Sequence, residues 1–197
     1  MNKGILYVIS GPSGTGKGTV CAELIEQRDI HLSISTTSRD KRAGEVAGVT
    51  YNYTTAEKFR EMIDNGELLE WAMYNGKYYG TPKAQIMQML EEGKDVLLEI
   101  EPQGALKVKA EFPETVLIFI IPPSMEVLRQ RLVNRGRETE AEIEDRINAA
   151  KWEFMQAPKY NYIVENGALD KCVSEVSEIM DFCRESRKKV KKLLSNN

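Results

Sequence analysis

The sequence predicts an α/β fold in which a parallel sheet carries helices on both faces. Short apolar runs alternate with amphipathic helical patterns along most of the chain, the arrangement produced by repeated strand, helix and crossover. A glycine-rich loop follows the first apolar run and opens a helix. From about residue 33 to residue 83 the rhythm breaks into sequence rich in Thr, Ser, Tyr and Gly, as expected of a lobe inserted into such a core.

Taken in order, residues 5–10 form the first strand and feed SGPSGTGKGT, after which Val20, Leu24 and Ile25 share one helical face. Within the inserted segment one short helix is punctuated by Thr54 as N-cap, Glu57 three residues on as a capping box, and Gly66 as the stop. Residues 95–100 (DVLLEI) and 115–121 (TVLIFII) are further buried strands, each followed by a helix, and residues 160–164 (YNYIV) give a last strand. Thr139 with Glu142 forms a second capping box, opening a helix that carries Ile143, Ile147 and Ala150. The C-terminal helix places Val173, Val176, Met180, Cys183, Val190 and Leu194 at helical spacing.

The composition is that of an ordinary globular chain. Its 197 residues carry 27 basic and 30 acidic side chains, a net charge of −3. That length suffices for one core with a small inserted lobe. Balanced charge gives no general attraction for nucleic acid or an anionic membrane, so anionic ligands must be gathered by local clusters of Arg and Lys. The basic tail of Arg187, Lys188, Lys189, Lys191 and Lys192 reads as a solvated face that suits a helix C-terminus. Three widely spaced cysteines, Cys21, Cys172 and Cys183, lack metal-ligand spacing and point to small core residues in a reducing compartment. The longest apolar run, 116–121, ends at Pro122 and Pro123, far below the ~20 residues that span a bilayer. The expectation is a cytoplasmic protein, monomeric or a simple homo-oligomer, with no nucleic-acid or membrane partner.

Gly11-Pro12-Ser13-Gly14-Thr15-Gly16-Lys17 fits G-x-x-x-x-G-K between a strand and a helix. Glycines let successive backbone N–H groups point at phosphate oxygens, the helix N-terminus adds partial positive charge, and Lys17 adds a full one. The plain alternative is a glycine-rich turn capping a helix. Gly18 stands where such loops have a Ser or Thr that binds Mg2+, and Thr19 lies one step further round the helix. Magnesium is therefore expected to be held mainly by nucleotide phosphates and water, with help from an acidic strand end. Glu99 and Glu101, two apart at the end of a predicted strand, face the same side at the edge where open α/β sheets bind ligands. One of them could instead simply cap the next helix.

A second anion cluster, residues 35–42, combines hydroxyls with Arg39 and Arg42 and is followed by Gly44-Glu45. With Tyr51 and Tyr79 the two arginines could clamp a phosphate by bidentate contacts and phenol donors. A solvated basic turn would look the same from the residues alone. A third cluster holds Arg129, Arg131, Arg135, Arg137 and Arg146, with five acids between Glu138 and Asp145. A mixed-charge surface helix is the ordinary explanation, yet Arg135 and Arg137 flank Gly136 between two helices, which suits a mobile lid. His31, the one histidine, sits outside every motif and reads as structural.

The order of these motifs carries a family resemblance. S-x-S-T-T-x-R-x-x-R-x-G-E, then G-x-x-Y, E-L-L-E-W-A, Y-Y-G-T-P and D-V-L-L-E-I-x-x-Q-G-A follow the G-K-G-T loop. This series resembles guanylate kinase over nearly the whole chain, and G-K-G-T is closer to the nucleoside monophosphate kinases than to the switch GTPases. The resemblance implies a P-loop kinase with a parallel five-stranded core sheet from residues 1–32 and 84–197. It also implies a GMP-binding lobe from 33 to 83 and a short Arg-rich lid at about 134–141. The activity implied is transfer of the γ-phosphoryl group of ATP, with Mg2+, to GMP and dGMP.

Residue by residue, the resemblance implies that ATP is bound by Gly11, Pro12, Ser13, Gly14, Thr15, Gly16, Lys17, Gly18 and Thr19, with Asn166 in the loop near adenine. The GMP phosphate falls to Arg39, Arg42, Tyr51 and Tyr79, with Glu45 positioning the arginines. Guanine presents N1–H and N2–H2 donors beside an O6 acceptor, so its reader needs a carboxylate and hydroxyls. Glu70 supplies the first, Ser35 and Thr81 the second. Glu101 stands where the family has an aspartate touching guanine or the metal shell, and both its extra methylene and Pro102 depart from the pattern. Lys17, Arg39, Arg131, Arg135 and Arg146 are the implied catalytic charges, while Arg129 and Arg137 are left to solvent. The acceptor oxygen of GMP is already ionised, so no general base is needed. Two other classes share some of these motifs: a scaffold module of guanylate-kinase-like kind that binds phosphorylated peptides, and a P-loop kinase for AMP or a sugar.

Overall fold

The computed structural model describes residues 3–74, 76–136 and 139–195. Strand β1 (Leu6–Ser10) is buried throughout and runs into the glycine loop, after which α1 (Lys17–Gln27) buries Val20, Cys21 and Leu24. Next come β2 (His31–Leu32), β3 (Thr36–Thr37) and β4 (Asn52–Tyr53). Helix α2 (Ala56–Asp64) is capped by Thr55, whose hydroxyl accepts from Lys58 N, so the cap lies one residue later than the Thr54 expected from the motif. With Thr55 as N-cap the third helical position is Lys58 and not Glu57, so the capping box expected of Thr54 and Glu57 gives way to a single hydroxyl cap. Gly66 ends this helix at φ 65°, as its position predicts.

Strands β5 (Leu68–Tyr74) and β6 (Lys77–Pro82) form an antiparallel pair in which Glu70 faces Thr81. Helix α3 (Lys83–Glu91) leads to β7 (Val96–Glu99), and α4 (Pro102–Glu111) starts on a proline, tolerated where a helical N–H has no partner anyway. Strand β8 (Val116–Ile121), α5 (Met125–Asn134), α6 (Glu140–Phe154), β9 (Tyr162–Glu165) and α7 (Leu169–Ser195) complete the chain. The Thr139–Glu142 capping box is made in full.

Two sheets result. A parallel five-stranded sheet runs in the order β2-β7-β1-β8-β9, and a mixed four-stranded one in the order β4-β3-β6-β5. The α/β class and five-stranded sheet expected from the sequence are therefore present. The order β7-β1-β8 places the C-terminal end of β1, and so the glycine loop, at the centre of the parallel sheet, where ligands bind in such folds.

The chain divides into two compact units, Met1–Ser10 with Asp29–Leu117 and Gly11–Arg28 with Ile118–Asn197. In the first, Tyr7–Ile9 and Val96–Leu98 meet Ile86, Leu90, Ala105 and Val108 in a core that excludes water. Asp95, buried just before β7, accepts from Ile5 N at 2.8 Å. In the second unit Val173, Val176 and Met180 of α7 are buried, and Leu128, Leu132, Ile143, Ile147 and Ala150 join α5 to α6. The apolar stripe of α7 continues past its packing: Val190 and Leu194 are exposed, contrary to the single face their spacing suggested. Among the described residues no helix is long and apolar enough to cross a membrane.

Candidate active site

The phosphate loop owes its shape to three glycines with positive φ. A Cβ at Gly11 would lie 2.3 Å from the Ile120 carbonyl oxygen, one at Gly14 2.9 Å from Leu128 Cδ1, and one at Gly16 2.4 Å from Asn166 Nδ2. Gly16 is also the N-cap of α1, in the left-handed conformation and with no side chain covering the helix end. The first-turn amides are thus left for an anionic ligand. Lys17 is buried at the first position of α1 and its Nζ donates to the carbonyl oxygens of Gly11 (2.5 Å) and Pro12 (3.1 Å). Pro12 O also accepts from the Thr15 hydroxyl at 2.9 Å. Gly18 and Thr19 follow, both exposed.

Side chains from α5, α6 and the segment after β9 close round this loop. Arg131 donates to Thr15 O at 3.4 Å and to Asn166 O at 2.8 Å, while Arg146 donates to the Ser13 hydroxyl at 2.8 Å. Asn166 is buried, and its amide nitrogen donates to Thr15 O at 2.8 Å. A pocket of about 410 Å3 opens here, lined by Gly16, Thr19, Arg131, Arg135 and Asn166 among others. Arg135 caps the C-terminal end of α5 and is exposed. Arg129, left to solvent by the sequence reading, keeps its side chain partly exposed and there pairs with Glu140 and Glu144, one turn apart on α6. Arg137 lies outside the described residues.

The second anion cluster is built round one carboxylate. Glu45 receives Arg39 Nη2 on Oε1 (2.7 Å) and Nη1 on Oε2 (3.0 Å), and also the Arg42 backbone N–H (2.7 Å) and the Tyr53 hydroxyl (2.8 Å). The bidentate guanidinium is the main reason its carboxyl is held down to about 2. The same pairing raises the Arg39 guanidinium further above its ordinary range. Arg39 stands over the Tyr51 ring at 5.5 Å, and the Tyr51 and Tyr79 rings meet edge to face at 6.0 Å. Burial pushes the Tyr51 phenol up. Arg42 is exposed, and its backbone N–H, rather than its guanidinium, meets Glu45. Tyr53 escaped the sequence reading, although it lies two residues beyond Tyr51 and so on the same strand face.

Glu70 is buried on β5 and accepts the Thr81 hydroxyl on Oε1 at 2.6 Å. Desolvation raises its carboxyl, while Thr81 and then the Lys107 charge pull it back. The single Thr81 proton is committed to Glu70, so towards a ligand Thr81 offers lone pairs rather than the donor expected of it. Ser35 is half-buried, and its carbonyl accepts from Asn52 N at 2.8 Å. Glu99 and Glu101 are both exposed; Glu101 occupies the N-cap of α4 but its side chain makes no capping bond. His31 is half-buried in β2, paired with Val96.

A parallel α/β sheet whose first strand ends in a G-K loop at a bare helix N-terminus, with arginines converging on that loop, defines a P-loop phosphotransferase. The chain belongs to the guanylate kinase family, whose profile matches residues 3–182. It is 52% identical over 190 residues to the guanylate kinase of Caldanaerobacter subterraneus subsp. tengcongensis, across 95% of this chain and 92% of that one. To that of Clostridioides difficile it is 51% identical over 181 residues, across 91% and 88%. The crystal structure of guanylate kinase from Anaplasma phagocytophilum superposes with a TM-score of 0.77 at 32% identity, covering 91% of this chain and 86% of that one.

Proposed function

We infer that the chain is an ATP:GMP phosphotransferase: a phosphate oxygen of GMP attacks the γ-phosphorus of ATP, the bond to the β–γ bridging oxygen breaks, and GDP and ADP leave. The observation that carries the choice of acceptor is the buried Glu70–Thr81 pair of the mixed sheet, which also holds Tyr79 and from whose strands β3 and β4 the loop with the Arg39–Glu45 clamp extends. A carboxylate kept out of water accepts the N1–H and N2–H2 donors of guanine and has nothing to accept from the corresponding edge of adenine. Arg39 and Arg42, with Tyr51 and Tyr79, take the acceptor phosphate, Glu45 holding Arg39 in place. Residues 33–83 serve as the acceptor lobe.

The loop 11–17 cradles the ATP phosphates through its amides and Lys17, whose ammonium must exchange the Gly11 and Pro12 carbonyls for phosphate oxygens. Arg131 and Arg146, bonded to the loop itself, and Arg135 at its rim spread positive charge over the oxygens that gain charge in the transition state. The lid expected at about 134–141, of which residues 137 and 138 lie outside the described residues, would serve to exclude water. Magnesium would be held mainly by the nucleotide phosphates and water, because Gly18 offers no side-chain ligand and Thr19 beside it is exposed. It supplies neutralisation of the β- and γ-phosphate charge. ATP and GMP are the partners, dGMP a second acceptor, and three cysteines outside any disulfide suit a cytoplasmic setting.

The test is a coupled assay of ADP release with GMP, dGMP, IMP and AMP as acceptors. Turnover with GMP and dGMP, weaker with IMP and least with AMP, is expected. Turnover best with AMP, or none at all with phosphopeptide binding retained, would overturn the assignment.

A further inference from the structure

Gly104 has no backbone reason to be glycine. It lies in the first turn of α4, outside the set of glycines with positive φ, at a position where glycine is a poor helix former. Space explains it. A Cβ built there would stand 2.7 Å from Glu70 Oε2, 3.1 Å from Glu70 Cδ and 3.5 Å from Ile100 Cδ1. One turn on, Lys107 donates to the Trp71 carbonyl oxygen at 2.8 Å and lies 5.4 Å from the centre of the Trp71 indole. Helix α4 therefore grips β5 at two successive residues, by contact at Glu70 and by a hydrogen bond at Trp71.

We propose that Gly104 is a positioning residue for base selectivity: its missing side chain admits the Glu70 carboxylate to the one orientation in which both oxygens can serve the guanine edge. This rests on the reading of Glu70 as the guanine acceptor. On one side Thr81 holds Oε1, and on the other α4 lies against Oε2, so the carboxylate has two walls and one plane. Two parallel N–H donors demand such a plane, because turning the carboxylate weakens both bonds together. A methyl at residue 104 cannot fit without that turn, since the neighbour it meets is buried and pinned.

The experiment compares wild type, Gly104→Ala, Glu70→Ala and the double variant by initial rates with GMP and AMP, by KM for ATP, and by melting temperature. Gly104→Ala is expected to raise KM for GMP by about tenfold or more, with KM for ATP within about twofold of wild type. In the Glu70→Ala background the same substitution is expected to change KM for GMP by less than about twofold, because no carboxylate remains to be displaced. An unchanged KM for GMP in Gly104→Ala, or equal losses in the two backgrounds, overturns the proposal. If Glu70→Ala keeps the preference for GMP over AMP, the guanine assignment falls and this inference with it. If Glu70→Ala loses that preference but Gly104→Ala keeps it, this inference alone falls. Should Gly104→Ala prove too unstable to assay, its melting-temperature loss must vanish in the double variant, and additive losses refute the contact.

Discussion

Arg146, midway along α6, donates to the hydroxyl of Ser13 in the phosphate loop at 2.8 Å. The bond lends Ser13 little by itself, but it parks a full positive charge beside the loop that holds the triphosphate. Arg146→Ala is expected to lower kcat with GMP by about 100-fold or more, as for a lost transition-state charge, and Ser13→Ala to change it far less. Steady-state rates at varied ATP check this. Equal effects of the two substitutions would reduce Arg146 to a packing role.

The Arg39–Glu45 pair is the most strongly coupled charge pair of the acceptor cluster. Its carboxyl is lowered from 4.5 to about 2, so the stabilisation it contributes is complete above 4.5 and is lost as pH falls towards 2. Melting temperatures of wild type and Glu45→Gln between pH 2 and 6 are expected to converge at the acid end of that interval. At neutral pH Glu45→Gln is expected to raise KM for GMP by about tenfold, with the ATP side unaffected, since the guanidinium loses its aim.

Glu70 behaves with the opposite sign. Its carboxyl is raised, chiefly by burial, so the stability it contributes is present below the ordinary carboxylate value and is lost as pH rises through the raised one. Holding it ionised at neutral pH costs stability for the sake of recognition. Glu70→Gln is therefore expected to melt no lower than wild type at pH 7 while losing preference for GMP over AMP. For wild type, KM for GMP should rise on acidification at a higher pH than an ordinary carboxylate would give, and that limb should vanish in Glu70→Gln.

Arg129 provides the contrast among the arginines. It clasps Glu140 and Glu144 across α5 and α6, with all three side chains well exposed. Such pairs are worth about 0–1 kcal/mol and are screened by salt. Arg129→Gln is expected to lower the melting temperature by a few degrees at low ionic strength, with the difference shrinking in 1 M salt and turnover little changed. A loss of turnover comparable to that of Arg146→Ala would place Arg129 in the chemistry.

The parts of this fold that were legible in the sequence are those that long patterns encode: the buried strands at β1, β7 and β8, the loop between β1 and α1, and the capping box at Thr139. Strand β2 escaped because two residues, His31 and Leu32, carry no period. Periodicity placed Val190 and Leu194 on the same stripe as Val176 but could not say where the packing of α7 stops. At the site, residue types and spacing picked out the Arg39 and Arg42 cluster, whereas Glu70 and the role of Glu45 came from the family resemblance. Who donates to whom is decided by tertiary geometry, so the direction of the Thr81 hydroxyl stayed hidden. The bond from Asn166 to Thr15 joins residues far apart in the chain, which no local pattern reports.

The three loop glycines answer to three different neighbours: the Ile120 carbonyl, the Leu128 and Leu132 side chains of α5, and the Asn166 amide. Only Gly11 and Gly16 belong to the formal G-x-x-x-x-G-K spacing. Gly14 lies under the apolar underside of α5, a bearing on which that helix rests, so enlarging it would disturb the Leu128 and Leu132 packing as much as any phosphate. A variant at Gly14 would thus present as a folding defect in a melt before it presented as a nucleotide-binding defect in an assay. The phosphate signature of this chain records its scaffolding together with its ligand.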